Sequence, residues 1–491
     1  MDDLRIETSS GWLEGQAENG ARTWRGIPYA KPPTGERRFA APEAPEPWTG
    51  VRPAKAFGAP ALQPGDPAEK YALSVDTPPP SEDCLYLNIW APPSGIAKGP
   101  LPVMVWIHGG AFVTGSGGHP AYDAASLAAN GEVVAVSINY RLGPFGFLHM
   151  APLGEGFVSN AGLLDQIAAL TWIKSEIAAF GGDPEEITVF GESAGAMSIA
   201  SLLAMPGAKG LFRRAVLQSG AAQTLPAEQA EQVVSGMLLL LGLERTDAEA
   251  LKTLPAADIM KAAEELVRAL GGGPAMLFQP VVDADTLPAE PLEAVRAGAA
   301  KDVRLLIGTN RHEGEYFIRP DMPPVPIEGA IRGVELMTGI ADAGPLVRAY
   351  PHTAQGQADI MTDLFFLRSA LQFAHAQSLH APVWMYRFDW TSAVHPTLVR
   401  AVHTREIVFV FGNLPQLERQ LGVTLGPDAH RLAGEMQSAW LAFAKRGTPD
   451  TPALAWPPFG EPERLTMIFG GADAPQVVSD PNVGKRAKLG L

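Results

Sequence analysis

The sequence predicts an α/β fold, with a central, mostly parallel sheet flanked by helices. Three observations predict it. Short apolar runs recur along the chain as "LPVMVWIH", "EVVAVSINY", "ITVF", "RAVLQSG", "DVRLLIGTN" and "PVWMYRFDW". Several are separated by stretches of helical spacing, and strands that alternate with helices favour parallel pairing with both faces covered. The composition suits a large compact core: 46% of the 491 residues are hydrophobic and 19% charged, with 45 prolines and 51 glycines to make turns.

Taken in order, residues up to about 90 are rich in Pro and Gly and read as short strands and turns, notably "WRGIPYAKPPTGERRF" and "CLYLNIWAP". The alternating region follows. Its clearest helix is "NAGLLDQIAALTWIKSEIAAFGG", where apolar residues return every three or four positions and Gly181 supplies the stop signal. Near 221–275 and 321–380 the alternation gives way to Ala- and Leu-rich helical stretches. No Gly/Ser or charged linker sets them apart, so they read as insertions over the active-site end of one domain spanning 1–491.

The net charge of -15 argues against nucleic acid and anionic membrane surfaces as partners. The opening "MDDLRIETSSGWLEG" carries acids where a secretory leader carries positive charge, and "VVSGMLLLLGL" is too short for the roughly 20 apolar residues of a membrane span. Cys84 is the only cysteine, which excludes an internal disulfide and fits a reducing compartment. The expectation is a cytoplasmic protein with no membrane partner, working as a monomer or homodimer.

The stretch "ITVFGESAGAMS" sets Gly191-Glu192-Ser193-Ala194-Gly195 between a candidate strand and a candidate helix. This is G-x-S-x-G in the context of a nucleophile elbow, as in α/β-hydrolases. A tight bend lifts the serine out of the sheet, and its small neighbours let other backbone come close. A helix that starts there offers unpaired N–H groups and the positive end of its dipole to an oxyanion. Upstream, "VMVWIHGGAFVTGSGG" places His108-Gly109-Gly110-Ala111 directly after a strand, where an oxyanion loop belongs. A nucleotide-phosphate loop fails on spacing, because the required later glycine falls on Pro120 and no G-x-x-x-x-G-K-[ST] is present. His108 reads as a loop-fixing residue.

A serine hydroxyl needs a base, itself held by an acid, and in this fold the chain order is serine, acid, histidine. Glu313 in "DVRLLIGTNRHEGEYF" and His403 in "HPTLVRAVHTREIVFVFGN" satisfy that order. With ten histidines the residues alone leave His312, His375, His380 and His395 as other bases, and Asp283, Asp302 and Glu406 as other acids.

An ordered series of motifs resembles the type-B carboxylesterases, which include bacterial para-nitrobenzyl esterases and the cholinesterases: "GIPYAKPPTGERRF", "SEDCLYLNIW", "HGGAF", "INYRLGPFGFL", "NAGLLDQIAALTWI", "FGGDPEEITVFGESAGA", "QSG", "FQPVVD", "GTNRHEGEYF" and "AVHTREIVFVFGN". The resemblance covers most of the chain. It implies a Ser193–His403–Glu313 triad, an oxyanion hole from the N–H groups of Gly110, Ala111 and Ala194, and a supporting role for Glu192. It also implies structural ion pairs Arg38–Glu82 and Arg141–Asp165. Two departures stand out: Cys84 occupies a position that is disulfide-bonded in secreted relatives, and Ala111 replaces the third glycine of the oxyanion loop.

The activity so implied is hydrolysis of short- to medium-chain esters of alkyl or aryl alcohols through an acyl-enzyme, without cofactor or metal. By the family's layout the pocket wall would include Phe112, Leu277, Phe278, Phe317, Phe365 and Phe366, and Tyr71 is a candidate for an aromatic cage. Competing readings are a hydrolase specialised for carbamates, amides or lactones, and a non-catalytic adhesion protein of the same fold, as in the neuroligins. The complete set of candidate triad residues favours the enzyme.

Overall fold

The computed structural model describes residues 2–65, 78–95, 99–129, 132–269, 276–319, 321–471 and 474–491. Two compact units emerge, one from Met1–Arg213 with Thr224–Glu290 and the other from Arg214–Gln223 with Pro291–Leu491.

In the first unit, strands run side by side in the order Gln16–Glu18, Ala21–Pro28, Tyr86–Ala91, Val134–Ile138, Leu101–Ile107, Gly182–Glu192. The first three pairings are antiparallel, and Leu101–Ile107 is parallel to both of its neighbours. Every residue of Val134–Ile138 is buried, as expected of a strand covered on both faces. A separate small sheet joins Arg5–Thr8, Gly11–Glu14 and Val51–Pro53. The predicted helix is Ala161–Glu176, followed by a 3₁₀ turn Ile177–Phe180 that ends on Gly181 at φ 88°, the left-handed conformation glycine adopts without steric cost. In the first predicted insertion, helices Ala227–Leu241 and Ala256–Ala269 pack together at Gly236, where a Cβ would come within 2.8 Å of Leu266 Cδ1.

In the second unit, Arg214–Gln218, Arg304–Asn310, Val383–Phe388 and Leu465–Phe469 are parallel, and Gln476–Ser479 closes the edge antiparallel. The six predicted strands all form. The last two strands escaped the sequence reading because they are a five-residue apolar run and a four-residue, partly exposed edge. The second predicted insertion is helical over Ile327–Thr338, Gly344–Arg348 and Ala354–Ile360. It continues through a π-helical stretch, Met361–Leu367, into Arg368–Ser378. Among the described residues, no helix is long and apolar enough to cross a membrane.

Candidate active site

Ser193 stands at the junction of the strand Gly182–Glu192 and the helix Ala194–Leu202, with φ 55° and ψ −124°. A non-glycine residue there is strained, and the surroundings hold it in place. A Cβ at Gly195 would meet the Ile107 carbonyl oxygen at 2.0 Å, and one at Gly191 would meet the same atom at 2.7 Å. Both flanking glycines are therefore required by close backbone approach, which is the physical content of the G-x-S-x-G pattern.

The 108–115 loop lies against this bend. A Cβ on Gly109 would sit 2.7 Å from the Glu192 carbonyl oxygen and 3.0 Å from Ser193 Cβ. Gly110, Ala111 and Phe112 all have positive φ, at 114°, 54° and 62°. The turn closes around the Gly110 carbonyl, which accepts from the N–H groups of Val113 (3.1 Å) and Thr114 (3.0 Å) and from Thr114 Oγ1 (3.1 Å). Among the described residues, no acceptor is hydrogen-bonded to the backbone N–H of Gly110, Ala111 or Ala194. Gln63 braces the far side, donating to the Gly115 carbonyl and accepting from its N–H. No motif in the sequence singled out Gln63.

His108 fixes this loop. Its Nδ1 lies 2.8 Å from the Gly109 carbonyl, its ring stacks on Tyr140 at 4.5 Å, and Tyr140 donates to the His108 carbonyl at 2.7 Å. Burial pushes the imidazole pKa down to about 4, so the neutral ring carries its proton on Nδ1 and donates it to Gly109. The unfolded chain binds a proton at this histidine below about pH 6.5, whereas the folded chain does so only near pH 4. Stability from His108 is therefore complete above pH 6.5 and lost as the pH falls toward 4, by roughly 3 kcal/mol. Urea unfolding of His108→Gln from pH 7 to 4.5 should show a shallower acid loss than wild type. Equal slopes would refute the assignment.

In the second unit, the loops after Arg304–Asn310 and Val383–Phe388 bring Glu313 and His403 together. Both are buried, and Nδ1 of His403 lies 2.7 Å from Glu313 Oε2. The other carboxylate oxygen accepts from the Asn310 N–H at 2.6 Å. Asn310 Nδ2 donates to the Val402 carbonyl at 2.8 Å and to Glu406 Oε2 at 2.6 Å, tying the two loops to each other. The rings of Phe366, Phe317 and Tyr316 surround His403 at 4.8, 5.1 and 5.7 Å.

Geometry separates these two residues from the alternatives. His312 Nδ1 accepts from the Ala401 N–H at 3.3 Å, and burial lowers its pKa. His380 and Asp302 are exposed, and His375 and His395 are half-buried, His395 Nδ1 lying 2.9 Å from Thr397 Oγ1 and His375 Nδ1 3.6 Å from Glu461 Oε1. Asp283 lies in the first unit, where its carboxylate caps the N–H groups of Asp285, Thr286 and Leu287. Glu406 is fully buried beside the pair, and burial, with the charge of Glu313 second, pushes its carboxyl pKa up. Trp440 Nε1 donates to Gln218 Oε1, so Gln218 must present its NH₂ to Glu406 Oε1, as Asn310 does to Oε2. Both oxygens of Glu406 are thus acceptors. Glu406→Gln would set an NH₂ against a donor and should cost about 1–3 kcal/mol in urea unfolding. Unchanged or raised stability would refute the two-acceptor account.

Of the expected pocket residues, Phe317 and Phe366 face His403, and Phe365 packs edge-on to Phe366 at 4.8 Å. Phe112 is fully buried against Phe147, Phe278 is buried, and Leu277 is half-buried. Tyr71 lies outside the described residues. Glu192 is buried next to the 108–115 loop. The expected ion pairs both form: Arg38 grips Glu82 through two bonds of 2.6 and 2.7 Å, and Arg141 grips Asp165. Cys84 is buried, and burial pushes its thiol pKa well up.

The model of the carboxylesterase family matches residues 2–338 and 348–475. The chain belongs to the carboxylesterase family. It is 47% identical to the para-nitrobenzyl esterase of Bacillus subtilis (strain 168) over 486 residues, covering 99% of this chain and 98% of that protein. It is 35% identical to the phenmedipham hydrolase of Pseudarthrobacter oxydans, with 97% of each chain covered. A solved thermophilic PNB esterase superposes with a TM-score of 0.94 at 46% identity, covering 99% of this chain and 100% of that one. The carboxylesterase described here has the α/β-hydrolase fold, with a mostly parallel sheet flanked by helices, and is a serine hydrolase of carboxylic esters.

Proposed function

We propose that Ser193, His403 and Glu313 form the catalytic triad of this carboxylesterase, and that its substrates are small esters of short- to medium-chain acids with alkyl or aryl alcohols. The buried 2.7 Å contact between His403 Nδ1 and Glu313 Oε2 carries this reading, because it holds the imidazole in the tautomer that makes Nε2 the basic, proton-accepting nitrogen. Ser193 Oγ attacks the ester carbonyl carbon while Nε2 takes the hydroxyl proton. The tetrahedral oxyanion is held by the N–H groups of Gly110, Ala111 and Ala194. Collapse expels the alcohol, which receives the proton from Nε2. Water, deprotonated in turn by His403, then attacks the acyl-enzyme and releases the acid. Glu192 supports the site's water and imidazole, and no cofactor or metal enters.

The aromatic ring of Phe317, Phe366 and Tyr316 around His403 favours apolar substituents. The likeness to a para-nitrobenzyl esterase supports aryl alcohols. The family match runs through both compact units, which supports reading residues 1–491 as one catalytic domain with helical insertions. The lone buried Cys84 supports a cytoplasmic setting, where the enzyme works as a monomer or homodimer.

Hydrolysis of para-nitrophenyl esters from acetate to palmitate tests the proposal. Rates should peak at short or medium chains, and His403→Ala should remove nearly all turnover. A peak at palmitate would overturn the substrate range, and wild-type rates in His403→Ala would overturn the triad.

A further inference from the structure

We propose that the segment Asn482–Leu489 positions the aromatic wall beside His403 through a salt bridge to the π-helical stretch Met361–Leu367, and thereby sets acyl-chain selectivity. This rests on the ester-hydrolase reading above.

A π-helical turn carries one residue more than an α-turn and occurs frequently at functional sites. Relaxing it to α-helix would shift the register by one residue and rotate each following side chain by about 100°. Here that rotation would carry Phe366 away from His403 and from Phe317, on which it stacks at 6.1 Å. An external anchor is needed to hold the wider turn.

Asp363, three residues before Phe366, is that anchor point. It is 3% exposed, and both of its oxygens are engaged: Oδ1 accepts from Lys485 Nζ at 2.7 Å and Oδ2 from the Tyr350 hydroxyl at 2.9 Å. Two further ties flank this bridge. Lys488 Nζ sits 5.1 Å over the Tyr350 ring, and Arg368 Nε, just beyond the π-turn, donates to the Leu489 carbonyl at 2.9 Å. Leu489 is fully buried. The segment therefore grips the π-turn at its middle and at its downstream end, on elements that carry no catalytic group. Gln223 Nε2 caps the Phe365 carbonyl at 3.0 Å. Because the Lys485 side chain is about half exposed, its charge neutralises Asp363 while staying hydrated, so replacing Lys485 probes the tie without opening the core.

Lys485→Met keeps the aliphatic stem and removes the ammonium; Lys485→Arg keeps the charge. Both are assayed beside wild type for kcat and KM on para-nitrophenyl acetate, butyrate and octanoate. In Lys485→Met the octanoate-to-acetate ratio of kcat/KM should change by about threefold to tenfold, carried mainly by KM, and Lys485→Arg should restore it. A ratio unchanged in Lys485→Met, even with a lowered melting temperature, would show a merely stabilising tie and overturn the proposal. Failure of wild type on every ester would instead overturn the ester reading. Amide hydrogen exchange over 361–367 tests the clamp independently of turnover: exchange should quicken in Lys485→Met, and equal exchange would refute the anchoring.

Discussion

Ser193→Ala is expected to lower kcat/KM on a para-nitrophenyl ester by about a millionfold, as removal of the nucleophile does in other serine hydrolases. That corresponds to roughly 8 kcal/mol of lost transition-state stabilisation. The fold should survive. Ser193 has φ 55°, and the strain at that angle comes from the Cβ, which alanine retains. The contacts that force the bend are made by backbone and by Gly191 and Gly195, so the change in stability should stay within about 0.5 kcal/mol. Residual hydrolysis would come from the proposed oxyanion donors and substrate binding alone. Purified Ser193→Ala that turns over at the wild-type rate would eliminate Ser193 as the nucleophile.

Asp165→Ala is expected to destabilise the protein by about 3–5 kcal/mol, because it strands a buried guanidinium. Asp165 is 0% exposed and Arg141 is 3% exposed. Oδ2 accepts from the Arg141 backbone N–H at 3.0 Å and from Nε at 2.8 Å, and Oδ1 accepts from Nη2 at 2.6 Å. Nη1 is taken by the Ala40 carbonyl at 2.8 Å. The pair therefore ties the helix Ala161–Glu176 to the segment after Val134–Ile138. Arg141 also follows Tyr140, the residue that holds His108, so loosening should reach the 108–115 loop and lower activity before global unfolding. Urea unfolding measures the loss. The double replacement Arg141→Met with Asp165→Leu should recover part of it, since neither charge is then stranded. A single variant as stable as wild type would show that the guanidinium finds water or another acceptor.

The elements that the sequence made legible are those whose cause is local. Val134–Ile138 and Arg214–Gln218 are buried along their whole length and stand out by their apolar stretches, Val134–Val136 and Ala215–Leu217. Gly191 and Gly195 are visible because a backbone atom occupies the place where a Cβ would be. Leu465–Phe469 and Gln476–Ser479 were hidden because short strands are defined by their neighbours' hydrogen bonds more than by their own residues. Asn310, Gln63 and Asp363 gave no signal, since a polar residue in a loop or helix reveals its partner only after folding.

By itself, then, the sequence determined the strand–turn–helix around Ser193, the glycine-lined loop after Leu101–Ile107, and the chain order of the proposed nucleophile, acid and base. The tertiary structure decided that His403, of the ten histidines, is the one buried against Glu313. His403 and Glu313 are separated by |i−j|=90 in the chain and by 2.7 Å in space. A hydrogen bond requires that distance, and no local propensity encodes it. The structure also decided which polar side chains brace the site, because a buried carboxylate such as Glu406 or Asp363 is tolerable only where donors from distant segments converge on both of its oxygens.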